Sequence, residues 1–130
     1  MKQLTILSML LLLMACQEKK FDRLEREARE YTVRNCPKVI DQITTLDSIV
    51  FHNDGSLDYI YYYNVTLTDD LREGFESVRE GVREQTLKGL RNSIELKMVK
   101  EAGLNIVYVY RDAETGKEIM RNSFTQEDYQ

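Results

Sequence analysis

His52 is the single histidine of the chain, so any imidazole chemistry, whether proton shuttle, triad or metal ligand, must pass through it. It precedes the run Asn53-Asp54-Gly55-Ser56, with Asp58 just beyond. His52, Asp54 and Asp58 together offer the nitrogen and oxygen donors that zinc accepts; His52 with one carboxylate is the minimum for a small hydrolase or lyase. Three ligands from one turn, without HxxxH or CxxC spacing, make a poor metal site, so a solvated turn is expected, with no metal and no cofactor. The chain carries 22 Asp and Glu residues. Most fall on expected helix surfaces amid Lys and Arg, where i,i+4 pairing accounts for them. No catalytic residue is assigned.

Two cysteines remain. Cys36 sits at the junction of the first helix and first strand, where a buried small hydrophobe is the ordinary role; an intermolecular bridge or a reactive thiol are the alternatives. Cys16 closes an apolar run, residues 4–14, interrupted only by Thr5 and Ser8 and preceded by Lys2. That run has the length of a signal-peptide core and falls short of the roughly 20 residues a membrane span needs. Leu13-Met14-Ala15-Cys16 resembles a bacterial lipobox. The resemblance implies cleavage before Cys16 and acyl chains, palmitate among them, on its thiol and new amino group. The expected division is therefore a signal peptide over 1–15, a lipidated tether over 16–20 and a single domain over 21–130. Those acyl chains on Cys16 would be the membrane attachment, holding the protein in a bacterial cell envelope, on its periplasmic or surface face.

Removing 15 of the 130 residues leaves 115, enough for one domain with one core. The formal charge of −4 becomes −5 without Lys2, and acidic and basic residues are interspersed. Such a surface promotes solubility and carries no nucleic-acid footprint.

The elements follow from periodicity. Phe21, Leu24, Ala28 and Tyr31 make a helical stripe, which Asn35 and Pro37 end. Val39, Ile40, Ile43, Leu46, Ile49, Val50 and Phe51 suit a strand or a bulged strand. Asp54-Gly55 marks a turn, and from Leu57 to Leu67 apolar and polar positions alternate with period two. Asp70 with Glu73 has capping-box spacing for a second helix, with a bend or restart near residues 89–93. Gly74, Gly81 and Gly89 within it suggest a close approach to another backbone. Gly103 suits a helix cap; 104–111 and 117–125 read as strands, and 126–130 as a fraying end. The expected fold is α+β, a two-layer sandwich of order α-β-β-α-β-β. Its four-stranded antiparallel sheet would carry both helices on one face, with the two halves patterned alike.

Tyrosine is concentrated on the strands, at 59, 61, 62, 63, 108 and 110. If Tyr59, Tyr61 and Tyr63 face the helices with Val107 and Val109, the open face holds Ile60, Tyr62, Ile106, Tyr108 and Tyr110. A one-residue slip of register exchanges such sets. An uncovered aromatic face of this kind marks an association surface, for a second copy or an envelope partner.

The segments YTVRNCPKVIDQITTLDSIVFHNDGSLDYIYYYNV and GLNIVYVYRDAETGKEIMRNSFTQEDY resemble the small lipoproteins of Bacteroidetes-type bacteria that carry a single α+β domain of uncharacterised function. The resemblance implies fold and location, and no site residue beyond Cys16. The expected function is a non-catalytic, lipid-anchored binding module acting through the open sheet face. An inhibitor-type binder of a periplasmic enzyme and a small hydrolase using His52 are the alternatives.

Overall fold

The computed structural model describes the backbone of residues 2–130 and the side chains of residues 19–130. The element order is α1 (Lys2–Asn35), β1 (Lys38–Val39), β2 (Thr44–His52), β3 (Asp58–Val65), α2 (Asp69–Asn92), α3 (Lys97–Glu101), β4 (Asn105–Asp112), β5 (Glu118–Phe124) and α4 (Gln126–Tyr129). The fold is α+β, with a five-stranded sheet in the order β1-β2-β3-β4-β5.

The sheet is mixed, not the expected four antiparallel strands: β3 and β4 run parallel, while the other neighbours are antiparallel. The cause is the connection. A hairpin reverses the chain, but the 24-residue α2 carries it back over the sheet before β4 begins, so β4 starts at the same end as β3. The fifth strand is β1, two residues paired with Leu46 and Thr45. The long first strand expected from the apolar run breaks at 40–43. There the Asp41 carboxylate accepts from the amides of Ile43 (2.9 Å) and Thr44 (2.8 Å), so that β2 begins only at Thr44.

Leu24 and Ala28 of α1 pack with Leu46, Ile49 and Phe51 of β2, and the same core takes in Leu90, Val99, Leu104, Ile106, Phe124 and Tyr129. The expected helix stripe thus meets the sheet. The N-cap of α2 is Thr68, whose hydroxyl accepts from the Leu71 amide at 3.3 Å, and not the Asp70 box. The expected restart appears as α3, after Ser93. The glycines of α2 make no close approach: a Cβ at Gly81 or Gly89 would meet nothing, and one at Gly74 only the Ser77 hydroxyl. The C-terminus does not fray. Thr125 and Asp128 form a capping box for α4, and the Tyr129 hydroxyl donates to the Leu104 carbonyl at 2.9 Å inside the core.

Side chains occupy backbone groups along β2 and β5. Beyond β1, the edge of β2 at Ile49 is met by the Thr32 hydroxyl of α1, which accepts from the Ile49 amide (2.9 Å) and lies 3.1 Å from its carbonyl. On the far edge, Arg79 and Arg83 of α2 donate to the β5 carbonyls of Ile119 (2.9 Å) and Ser123 (3.4 Å).

Candidate functional site

Alternation along β3 sends Tyr59, Tyr61 and Tyr63 to the helix face and Ile60 and Tyr62 to the other, as the sequence predicts. The parallel register then sets Tyr59 beside Ile106, Tyr61 beside Tyr108 and Tyr63 beside Tyr110. Ile106, Tyr108 and Tyr110 therefore lie under the helices, and Val107 and Val109 lie on the opposite face. This reverses the expected placement of β4. The strand is apolar on both faces, so its own period could not choose between them; only the register to β3 does.

The opposite face is not an open aromatic surface. Ile60, Val107 and Val109 are only 5%, 3% and 1% exposed, with Tyr62 packed against them. The Arg111 guanidinium lies 4.3 Å from the Tyr62 ring centre, and Arg121 stands beside Val109, paired with Glu118 at 2.7 Å. Of the five expected binding residues, that face keeps Ile60 and Tyr62.

The aromatic side chains collect under the helices instead. Tyr61 stacks on Tyr108 and Tyr63 on Tyr110, each pair at 5.2 Å between centroids and 16° between planes. Tyr61 and Tyr63 lie 6.3 Å apart and within 10° of parallel. Tyr59 meets Tyr61 edge-on at 5.8 Å, and Phe51 and Phe21 extend the row. Side chains stand roughly upright on a sheet, so rings that face one another turn edges and hydroxyls toward the space above. Among the described residues, the hydroxyls of Tyr59, Tyr61, Tyr63 and Tyr108 have no hydrogen-bond partner, yet none is sealed from solvent.

That space is a cleft. α1 packs on β2, and α2 leans on β5 and α4 at the far edge, leaving the tyrosine floor between them. One hollow of about 460 Å³ lies between α1 and α3, lined by Glu27, Tyr31, Lys38, Tyr59, Tyr61 and Glu95. A second of about 360 Å³ lies under α2 and beside the 40–43 turn, lined by Ile40, Tyr63, Phe75, Val78, Val82 and Tyr110. Tyr61 bounds the first and Tyr63 the second, and these rings stack 6.3 Å apart, so the two hollows flank that pair; their volumes fall in the range of small-molecule sites.

Burial, with Glu27 adding to it, pushes the Tyr59 hydroxyl up to about 12. Burial likewise holds Tyr61, Tyr63, Tyr108 and Tyr110 above the usual tyrosine range. The floor therefore stays protonated at neutral pH. It offers neutral hydroxyl donors and acceptors, with the carboxylates of Glu27 and Glu95 on the wall beside it.

The other candidates lie apart. His52 ends β2 on the far face, opposite Asp58. Among the described residues, no three or more His, Cys, Asp and Glu side chains converge as metal ligands. Cys36 is half-buried against the core, and burial, followed by Asp47, pushes its thiol up, away from reactive thiolate. The side chain of Cys16 lies outside the described residues. Sequence reasoning missed Phe75, Glu95 and the helix-face role of Tyr108 and Tyr110. The signal available was the helix between the two hairpins, which makes the central strand pair parallel.

No curated protein matches the chain. A crystal structure from Pseudomonas aeruginosa, described as that of a "putative secreted protein", superposes with a TM-score of 0.71 at 17% identity, covering 88% of this chain and 96% of that one. It shares the fold. Residues 19–120, which hold the first hairpin, α2, β4, the start of β5 and the residues that line the cleft, match the family model of a domain of unknown function, DUF8479, and the chain belongs to that family.

Proposed function

We propose that the protein is a lipid-anchored, non-catalytic binding module of a bacterial cell envelope, and that it takes its ligand in the tyrosine-floored cleft. The observation that carries this reading is the set of four near-parallel tyrosines whose ring faces are spent on one another. Tyr61 lines one hollow and Tyr63 and Tyr110 the other, and among the described residues the Tyr61 and Tyr63 hydroxyls have no hydrogen-bond partner. A purely structural aromatic core would seal those hydroxyls or replace them by phenylalanine, because an unpaired buried hydroxyl costs stability. The cleft replaces the opposite sheet face as the binding surface, since the apolar centre of that face is already covered.

The envelope location rests on the Leu13-Met14-Ala15-Cys16 box and the apolar run before it. The Pseudomonas protein, described as a "putative secreted protein", supports an extracytoplasmic location only. No helix among the described residues is long and apolar enough to cross a membrane, which leaves the acyl chains on Cys16 as the proposed attachment. The lipoprotein resemblance of the two hairpin segments points the same way.

The test places a photo-crosslinking residue at Asn35, on the cleft, or at Tyr62, on the opposite face, in living cells. Adducts from position 35 alone support the cleft. Adducts from position 62 alone move the site to the other face, and none from either refutes a binding module. Mass spectrometry of the membrane-extracted protein should show acyl mass on Cys16; an intact Met1 would overturn the anchor.

A further inference from the structure

We infer that the cleft takes a cationic amphiphile: an ammonium or guanidinium head between Glu27 and Glu95 over Tyr59 and Tyr61, with its apolar chain under α2. The inference rests on the cleft reading above and adds the chemistry of the ligand. The two halves of the cleft differ in kind. The hollow under α2 is walled by Ile40, Phe75, Val78, Val82 and the edges of Tyr63 and Tyr110. Its one charged neighbour, Asp41, is engaged by the Ile43 and Thr44 amides at its mouth. α2 supports this: of its 24 residues only Leu90 is fully buried, so the apolar stripe Leu71, Phe75, Val78 and Val82 is left partly uncovered above the sheet. An alkyl chain would complete that burial, gaining roughly fourfold in affinity for each methylene removed from water.

The other half holds charge. Glu27 and Glu95 face it from α1 and from the segment before α3, with Lys38 the single cation on its wall. Lys38 is engaged, its ammonium donating to the Tyr31 hydroxyl at 3.2 Å and lying 5.9 Å from that ring's centre. Glu27 accepts from Arg23 at 2.8 Å on the solvent side, and Glu95 makes no ion pair among the described residues. The Tyr59 hydroxyl is raised by burial and then by Glu27; for Tyr61 burial and its tyrosine neighbours come first, and Glu95 adds the smallest share. A cationic head meets two carboxylates and two hydroxyl oxygens there, whereas an anionic head meets repulsion and a lysine already in use.

The experiment titrates the full chain, by calorimetry below micellar concentrations, with dodecyltrimethylammonium, dodecanol and dodecanoate. Circular dichroism monitors the fold. The ammonium should bind about tenfold more tightly than the carboxylate, with the alcohol between. Glu27→Gln with Glu95→Gln should collapse that preference to within about twofold. Val82→Trp, or Val78→Trp where the first perturbs folding, should weaken all three probes by filling the tail hollow. Equal affinities that the filling weakens would overturn the cationic head while leaving the cleft as a binding site. Binding of no probe would overturn the inference whole, and the crosslinks from position 35 would then judge the cleft independently.

Discussion

Raising the pH tests the tyrosine floor directly. In water a tyrosine ionises near pH 10. In the folded chain burial raises six of the eight: Tyr59, Tyr61, Tyr63, Tyr108, Tyr110 and Tyr129. For Tyr59 the rise is from 10.0 to about 12. At 1.36 kcal/mol per unit, two units correspond to roughly 3 kcal/mol of preference for the neutral phenol in the folded state. The sign is fixed by linkage. A group whose folded value is raised contributes its full stability below pH 10, and that stability is lost as pH climbs through the folded value near 12, because the unfolded chain releases its proton first. Tyrosinate absorbance followed beside circular dichroism should show these side chains resisting ionisation beyond pH 10. They should then titrate together as the domain unfolds, because ionising one leaves a charge against stacked neighbours. Tyr61→Phe should remove one of the late-titrating groups and hold the native signal to higher pH. A smooth titration of all eight near pH 10 with the fold intact would refute the reasoning, since it would mean the cleft hydroxyls are fully solvated.

Three further outcomes follow from single contacts. Tyr129→Phe removes the hydroxyl that serves the Leu104 carbonyl, at a residue with 0% exposure; unfolding in urea should report a loss of about 1–3 kcal/mol with an unchanged m-value, and no loss would show that water replaces the bond. Replacing Arg79 and Arg83 together by Ala unblocks the β5 edge at a cost of about 1 kcal/mol or less to the monomer, and sedimentation should then show concentration-dependent association. A variant that stays monomeric would mean the edge is protected by other means. The Glu114 amide, and then Arg72 at 3.1 Å, hold the Asp112 carboxyl below the usual range. Its contribution is present above pH 4 and lost as pH falls through its lower folded value. Asp112→Asn should flatten that part of an acid-denaturation profile; an unchanged profile would assign the acid loss to other carboxylates.

What the sequence made legible divides along one physical line: local periodicity is written in the chain, and register between distant strands is not. The stripe of Leu24 and Ala28, the turn at Gly55 and the alternation of Tyr59, Tyr61 and Tyr63 each depend on neighbours within a few residues, and each was readable. The α+β class followed from them. The face of β4 depends on how Tyr61 meets Tyr108, across the whole of α2, and Ile106, Val107, Tyr108 and Val109 are all buried. Such a strand has no polar side to declare its orientation. β1 escaped notice because Asp41 breaks an apolar run through backbone amides, a contact no hydropathy pattern records. α4 was hidden by its polar composition, although Thr125 and Asp128 have capping-box spacing. The cleft was illegible for a further reason: it arises from α2 standing partly off the sheet, and the amphipathic stripe that normally announces a core here announces an incomplete one.

The same geometry sets how the cleft would sit on a membrane. α1 runs along β2 with Phe21 beside Phe51 and Asp22 bonded to Asn53 at 3.1 Å, so its N-terminal part leads out past the 53–56 turn. Cys16 lies five residues before Phe21 in that helix, a rise of about 7.5 Å. An acyl anchor there would hold the 53–56 turn close to the headgroups and place the 40–43 turn, at the other end of β2, farthest from them. The charged half of the cleft, built on Tyr59 and Tyr61, would then lie nearer the membrane than the apolar half built on Tyr63 and Tyr110. A ligand seated as inferred would have its cationic head toward the anionic membrane surface and its chain pointing away, the reverse of its orientation in a bilayer. Transfer in either direction would then require the amphiphile to turn over, which would favour uptake from solution over extraction from the leaflet beneath.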